Sequence, residues 1–112
     1  MQIAERSAGN VKVLDLSGQI TFAQGDQLFK DKIHSLVHQG HKNILVNMAK
    51  VTHVDSAGLG ELVGAYTTLA RAGGSMKLVN LTQRLTDLLT ITKLLTVFDT
   101  FDSEPDALKT FN

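Results

Sequence analysis

The sequence predicts an α/β protein: a mixed, mostly parallel sheet with an N-terminal antiparallel hairpin and about four helices. Three observations carry that expectation. Short β-branched and apolar runs alternate with segments of helical periodicity. The run Ile44-Leu45-Val46 is continuously apolar, as a parallel strand covered on both faces requires. Strands separated by helices need crossover connections, which are right-handed and favour parallel pairing.

In chain order, Val11 to Leu16 is an apolar, β-branched run closed by Ser17-Gly18, and Ile3 to Arg6 is a short strand ahead of it, with the turn at Ala8-Gly9-Asn10. Leu28, Phe29, Ile33, Leu36 and Val37 recur at helical spacing and Gly40 follows as a stop, so a helix is expected over roughly 24–39. Ile44-Leu45-Val46 is then the central strand. After a polar turn, Leu59, Leu62, Val63, Tyr66, Leu69 and Ala70 line one face of a second helix over about 57–72, ended by Gly73-Gly74. Met76 to Val79 form the next strand, Leu85, Leu88 and Leu89 mark a third helix beginning near Thr82, and a last strand is placed near Thr96 to Phe98. Ser103, with Asp106 three residues on and Pro105 in the first turn, is a capped start for a terminal helix that buries Ala107, Leu108 and Phe111.

With 112 residues, 43% of them hydrophobic and one proline, the chain is expected to form a single domain over residues 1–112. Eleven Lys and Arg side chains balance eleven Asp and Glu, which removes the field that holds a polyanion, so neither nucleic acid nor a membrane is an expected direct partner. The lack of cysteine excludes disulfides, thiolate metal sites and cysteine nucleophiles. The first residues are too polar for a signal peptide and no window holds about 18 apolar residues, so a cytoplasmic location is expected.

In open α/β sheets the working site lies where strand ends feed helix starts, here between Val46 and Leu59. Residues 54–60 read Val-Asp-Ser-Ala-Gly-Leu-Gly, and either Asp55 or Ser56 can cap the helix. A helix start exposes unpaired N–H groups and partial positive charge that welcome an oxygen ligand or a phosphate, so Ser56 is either an ordinary cap or a modifiable hydroxyl. Gly58, Gly60 and Gly64 fall in the first turns of the same helix, where each interior glycine costs about 0.8 to 1 kcal/mol relative to alanine. Close packing of helix on sheet accounts for such glycines, as does a smooth patch that lets a partner approach the serine.

These residues carry a family resemblance. Asp55-Ser56-Ala57-Gly58-Leu59-Gly60 resembles the signature of STAS domains, the fold of bacterial anti-sigma factor antagonists. Val13-Leu14-Asp15-Leu16-Ser17-Gly18 is similar to the family's second strand and Gly74 to Val79 to its strand after the second helix. Leu81 through Leu95, Val97-Phe98 and Ser103 to Leu108 are similar to the last helix, strand and helix, so the likeness spans nearly the whole chain. By this resemblance Ser56 corresponds to a phosphorylated serine, and Asp55, Ser56, Ala57, Gly58, Leu59 and Gly60 to the partner-binding turn. The implied partners are an ATP-dependent serine kinase that is itself the anti-sigma factor, and a phosphatase that restores the hydroxyl. One departure stands out: the family's third strand commonly ends in aspartate, and that position reads as Asn47, which keeps the size and hydrogen bonding but not the charge. The same resemblance leaves open a scaffold, or a subunit of a stress-signalling or lipid-transport ATPase complex.

Other chemistry is weakly represented. His34 and His38 are one helical turn apart with His41 nearby, but no carboxylate completes a metal set, and solvated positions are the ordinary reading. His53 lies two residues before Asp55, yet no Gly-x-Ser-x-Gly elbow or third triad member accompanies it. No Walker or Gly-x-Gly-x-x-Gly loop follows a strand, and the threonines at 82, 86, 90, 92, 96 and 100 read as caps and half-buried positions. The expected class is therefore a non-enzymatic binding module without a cofactor or metal.

Overall fold

A computed structural model describes residues 1–111. The elements are β1 (Gln2–Ala8), β2 (Val11–Ile20), α1 (Asp26–His38), β3 (Asn43–Val54), α2 (Ser56–Arg71), β4 (Ser75–Val79), α3 (Gln83–Ile91), β5 (Asp99–Phe101) and α4 (Glu104–Leu108). One five-stranded sheet has the spatial order β1-β2-β3-β4-β5. The β1–β2 hairpin is antiparallel and every other pair is parallel, with a helix in each crossover. The element order and the mixed sheet are those expected from the sequence.

Helices α1 to α3 cover one face. Phe29, Ile33 and Leu36 of α1, Leu62, Ala65 and Leu69 of α2, and Leu85 and Leu89 of α3 meet Leu14, Leu16, Ile44, Val46 and Leu78 of the sheet. The opposite face is covered at one end by α4, where Ala107 lies over Val11, Val13, Leu45 and Val79. Ile44-Leu45-Val46 is thus buried from both sides, which explains its unbroken apolar run. Helix α1 stops as the sequence indicates: Gly40, at φ +93°, lets the Gly40 N–H donate to Val37 O and the His41 N–H to Leu36 O, and no side chain has to enter the left-handed region.

Beyond the α4 contact, the second face carries a charged cluster. Arg6 of β1 donates to Asp15 of β2 at 2.7 and 3.1 Å and also to both carboxylate oxygens of Glu104 at the start of α4. The guanidinium holds Asp15 and Glu104 below the usual carboxylate range, and the two acids raise Arg6 in return. Lys77 fastens the chain after α4 to β4 by donating to the Thr110 hydroxyl at 2.6 Å, with the Phe111 ring 4.8 Å from its ammonium.

Several boundaries differ from the sequence expectation. Strand β3 runs on to Val54, where a polar turn was expected after Val46, and β2 passes through Ser17-Gly18 to Ile20. The pairing shifts from Asp15↔Asn47 to Ser17↔Lys50 and from Gly18↔Val51 to Gln19↔His53, so β3 carries an extra residue at each step. The buried positions Met48, Val51 and Val54 therefore recur every third residue, which hides the strand from a period-two reading. Asn47 consequently lies in mid-strand and not at the strand's end. The last strand is Asp99–Phe101, not Thr96 to Phe98. Residues 94–97 form a turn after α3, and Phe98 faces inward to meet Tyr66 edge-on at 5.7 Å. Ala107 of the terminal helix is buried, while Leu108 at its end and Phe111, which lies beyond the helix, are only half-buried.

The α2 glycines divide by environment. A Cβ on Gly58 would lie 1.8 Å from the Ile20 carbonyl oxygen, whereas one on Gly60 would meet nothing within 4 Å. Gly58→Ala is therefore expected to destabilise the fold by about 3 kcal/mol or more through overpacking against backbone. Gly60→Ala is expected to stabilise it by up to about 1 kcal/mol. Urea midpoints of the two variants measure this, and equal shifts would contradict the assignment.

Candidate functional site

The site begins where β3 delivers the chain to α2. Val54 is the last strand residue and is buried, Asp55 takes the extended cap conformation, and Ser56 is the first helical residue. Asp55 Oδ1 accepts a hydrogen bond from the Gly58 N–H at 2.9 Å, and the Asp55 carbonyl accepts from the Leu59 N–H at 2.8 Å. Of the two residues that the sequence allowed as caps, the aspartate does the capping. Ser56 is exposed and its hydroxyl is not needed by the helix start.

The other Asp55 oxygen serves a distant segment. Oδ2 accepts from the Phe22 N–H at 3.0 Å, linking the β2–α1 loop to the start of α2. That loop is a compact turn in which the Thr21 N–H donates to Gln24 O at 2.6 Å and the Gln24 N–H to Thr21 O at 3.1 Å. Phe22 projects from it with 81% of its surface exposed. Sequence reasoning passed over Phe22; the available signal was a bulky aromatic among polar residues between a strand and a helix start.

The six motif residues have unequal roles in the fold. Gly58 is buried against Ile20, Leu59 is half-buried on the helical core, and Ala57 is half-buried. Ser56 and Gly60 face solvent, so the smooth-patch reading fits Gly60 and the packing reading fits Gly58. A shallow groove of about 410 Å³ extends from His53 and Val54 to Arg84, Leu88 and Ile91 of α3, with Ile91 79% exposed.

Electrostatics at the turn follow from its hydrogen bonds. The Gly58 amide, and after it the Phe22 amide, hold the Asp55 carboxyl below the usual carboxylate range. Both Asp55 oxygens accept from backbone N–H groups. Among the described residues no group of three His, Asp or Glu side chains could hold a metal ion, and no helix is long and apolar enough to cross a membrane. Asn47 is remote, since six strand residues lie between it and Val54, roughly 20 Å of chain. It donates to Asp15 at 2.9 Å and accepts from Asn80 at 3.2 Å, and so belongs to the charged cluster on the second face.

Comparison with known proteins places this geometry in a family. The STAS domain family model matches residues 2–107. An anti-sigma-B factor antagonist from Bacillus subtilis is 34% identical over 86 residues, which is 77% of each chain. Among solved structures, a candidate anti-sigma factor antagonist from Thermotoga maritima superposes with a TM-score of 0.91 at 20% identity, covering 97% of this chain and 93% of that one. The Bacillus cell fate determinant SpoIIAA in its phosphorylated form gives 0.73 at 20% identity over 96% and 97% of the two chains.

The depressed Asp55 pKa fixes a pH dependence. A carboxyl whose folded pKa is lower than its unfolded value, near 3.8, contributes stability that is present above that value and lost as pH falls through the folded pKa. Asp55→Asn is therefore expected to flatten part of the acid limb of stability between about pH 5 and pH 2. Denaturant midpoints across that range measure it; an unchanged acid limb would show that the carboxylate bonds contribute nothing.

Proposed function

The chain belongs to the STAS domain family, and from that premise we propose that it is a cytoplasmic anti-sigma factor antagonist switched by phosphorylation of Ser56. The observation that carries this reading is the position of the hydroxyl. Because Asp55 caps α2, Ser56 sits exposed on the first turn with its oxygen uncommitted, beside the open flank at Gly60. The relative from Bacillus subtilis is named for antagonism of an anti-sigma factor, and the SpoIIAA fold is known in a phosphorylated form.

In the unmodified state the turn presents a hydroxyl, small residues and apolar atoms, a surface that a partner covers without desolvating a charge. The partner is an anti-sigma factor serine kinase, and docking on it frees the sigma factor. Phosphorylation adds about −1.5 to −2 charges at the place where the partner would press. The helix N-terminus favours that charge and the ionised Asp55 opposes it, so the fold survives and docking is blocked by bulk and repulsion. A phosphatase returns the hydroxyl. No turnover by this chain is invoked.

The test is intact mass after incubation with the anti-sigma factor kinases of the source cell and ATP, with the site mapped by peptide sequencing. One phosphoryl group on Ser56, absent from Ser56→Ala, is the expected result. Ser56→Ala is expected to retain the kinase in a pull-down and Ser56→Asp to lose it; equal retention of both removes the switch.

A further inference from the structure

We propose that Asp55 is a positioning residue which holds Phe22 in register with Ser56, so that the aromatic ring and the hydroxyl form one docking surface for the kinase. The inference rests on the proposed docking at Ser56 and adds a second anchor to it. One carboxylate spans both parts: Oδ1 takes the Gly58 N–H at 2.9 Å and Oδ2 takes the Phe22 N–H at 3.0 Å. The bond reaches the Phe22 backbone, so it fixes where the side chain leaves the loop without enclosing the ring.

The ring is out of keeping with the other phenylalanines. Phe29 and Phe98 are buried at 0% and 3% exposure and Phe101 is half-buried, while Phe22 is 81% exposed. Its loop is not slack. Thr21 and Gln24 bond each other in both directions, the Asp26 N–H donates to Thr21 O at 3.2 Å, and a Cβ on Gly25 would lie 2.1 Å from the Gln19 carbonyl. An aromatic presented on an ordered turn loses little conformational entropy on binding and buries a large apolar area, the two properties of an interface anchor. The occupant is therefore a kinase with an apolar pocket beside the cleft that receives Ser56.

Capping and positioning are separable by substitution. In Asp55→Ser the short hydroxyl still accepts from the Gly58 N–H but cannot also reach Phe22. Asp55→Asn is the second variant, since its amide oxygen serves one N–H and its NH₂ cannot accept from the other. Hydrogen exchange on the isolated protein is expected to show the Phe22 amide losing protection in both variants while Gly58 keeps it. Calorimetry of the unphosphorylated chain against purified anti-sigma factor kinases, with Mg²⁺ and ADP, is expected to give affinity about tenfold lower or more for Phe22→Ala. Asp55→Ser is expected to weaken binding when Phe22 is present and to add no further loss in the Phe22→Ala background. Unchanged Phe22 protection, or losses that multiply in the double variant, overturns the inference. Failure of the wild-type chain to bind any such kinase overturns the docking reading and the anchor role with it, while the exchange result alone decides whether Asp55 holds the loop.

Discussion

A carboxylate has two oxygens, and at Asp55 the fold assigns each to a different stretch of chain. One closes the first turn of α2 and the other ties down the β2–α1 loop. A neutral side chain could satisfy the first N–H but would form a weaker bond, because hydrogen bonds to an ionised acceptor are roughly twice as strong as neutral ones. The arrangement depends in turn on how closely α2 approaches the end of β2. Gly58 lies against the Ile20 carbonyl at a distance that admits no side chain, and Ile20 is two residues before Phe22. The backbone contact at Gly58 and the side-chain contact at Asp55 thus fix the same two segments.

Charge is distributed so that the turn and the scaffold do not interfere. The Arg6, Asp15 and Glu104 cluster, with Asn47 and Asn80 beside it, lies on the face of the sheet away from α1, α2 and α3 and fastens α4 to the hairpin. These are partly exposed pairs whose individual worth is small, but a guanidinium shared between two carboxylates gains from its geometry. At neutral pH the cluster is ionised, and it sits at the Asn47 end of β3, roughly 20 Å of chain from the end that leads into Ser56. Added charge at the α2 start therefore acts mainly on Asp55 and on whatever approaches from solvent, since exposed charges separated by about a Debye length of 8 to 10 Å are largely screened.

The fold was legible where one physical demand dominated the residues. Ile44-Leu45-Val46 must be apolar on both faces, the α2 stripe has one buried side, and Gly40 sits at a left-handed helix stop; each left a pattern that only one element satisfies. It was illegible where two demands overlapped. The bulges in β3 replaced alternation by a spacing of three, so a twelve-residue strand read as a three-residue one followed by a turn. Val97 and Phe98 looked like a strand because they are apolar and β-forming, yet Phe98 is apolar in order to reach Tyr66 from a turn. Both failures concern pairing with distant residues, which no local window contains.

At the site, the motif was visible and its division of labour was not. Asp and Ser are both good caps, so composition leaves open which residue the helix uses. The decision comes from chain direction: a cap must precede the first helical residue, and the close packing of Gly58 on β2 sets where the helix begins. With Gly58 as the third helical residue, its N–H points back to a side chain at position 55. The serine is then left on the first turn, facing outward, its oxygen unclaimed. Reversing the pair to Ser-Asp would put the hydroxyl in the cap and the carboxylate in solvent, giving a helix start with a weaker first bond and a serine already occupied. The order of two adjacent residues, read against one glycine's contact with a neighbouring strand, is what separates a serine used by the helix start from one left exposed at its surface.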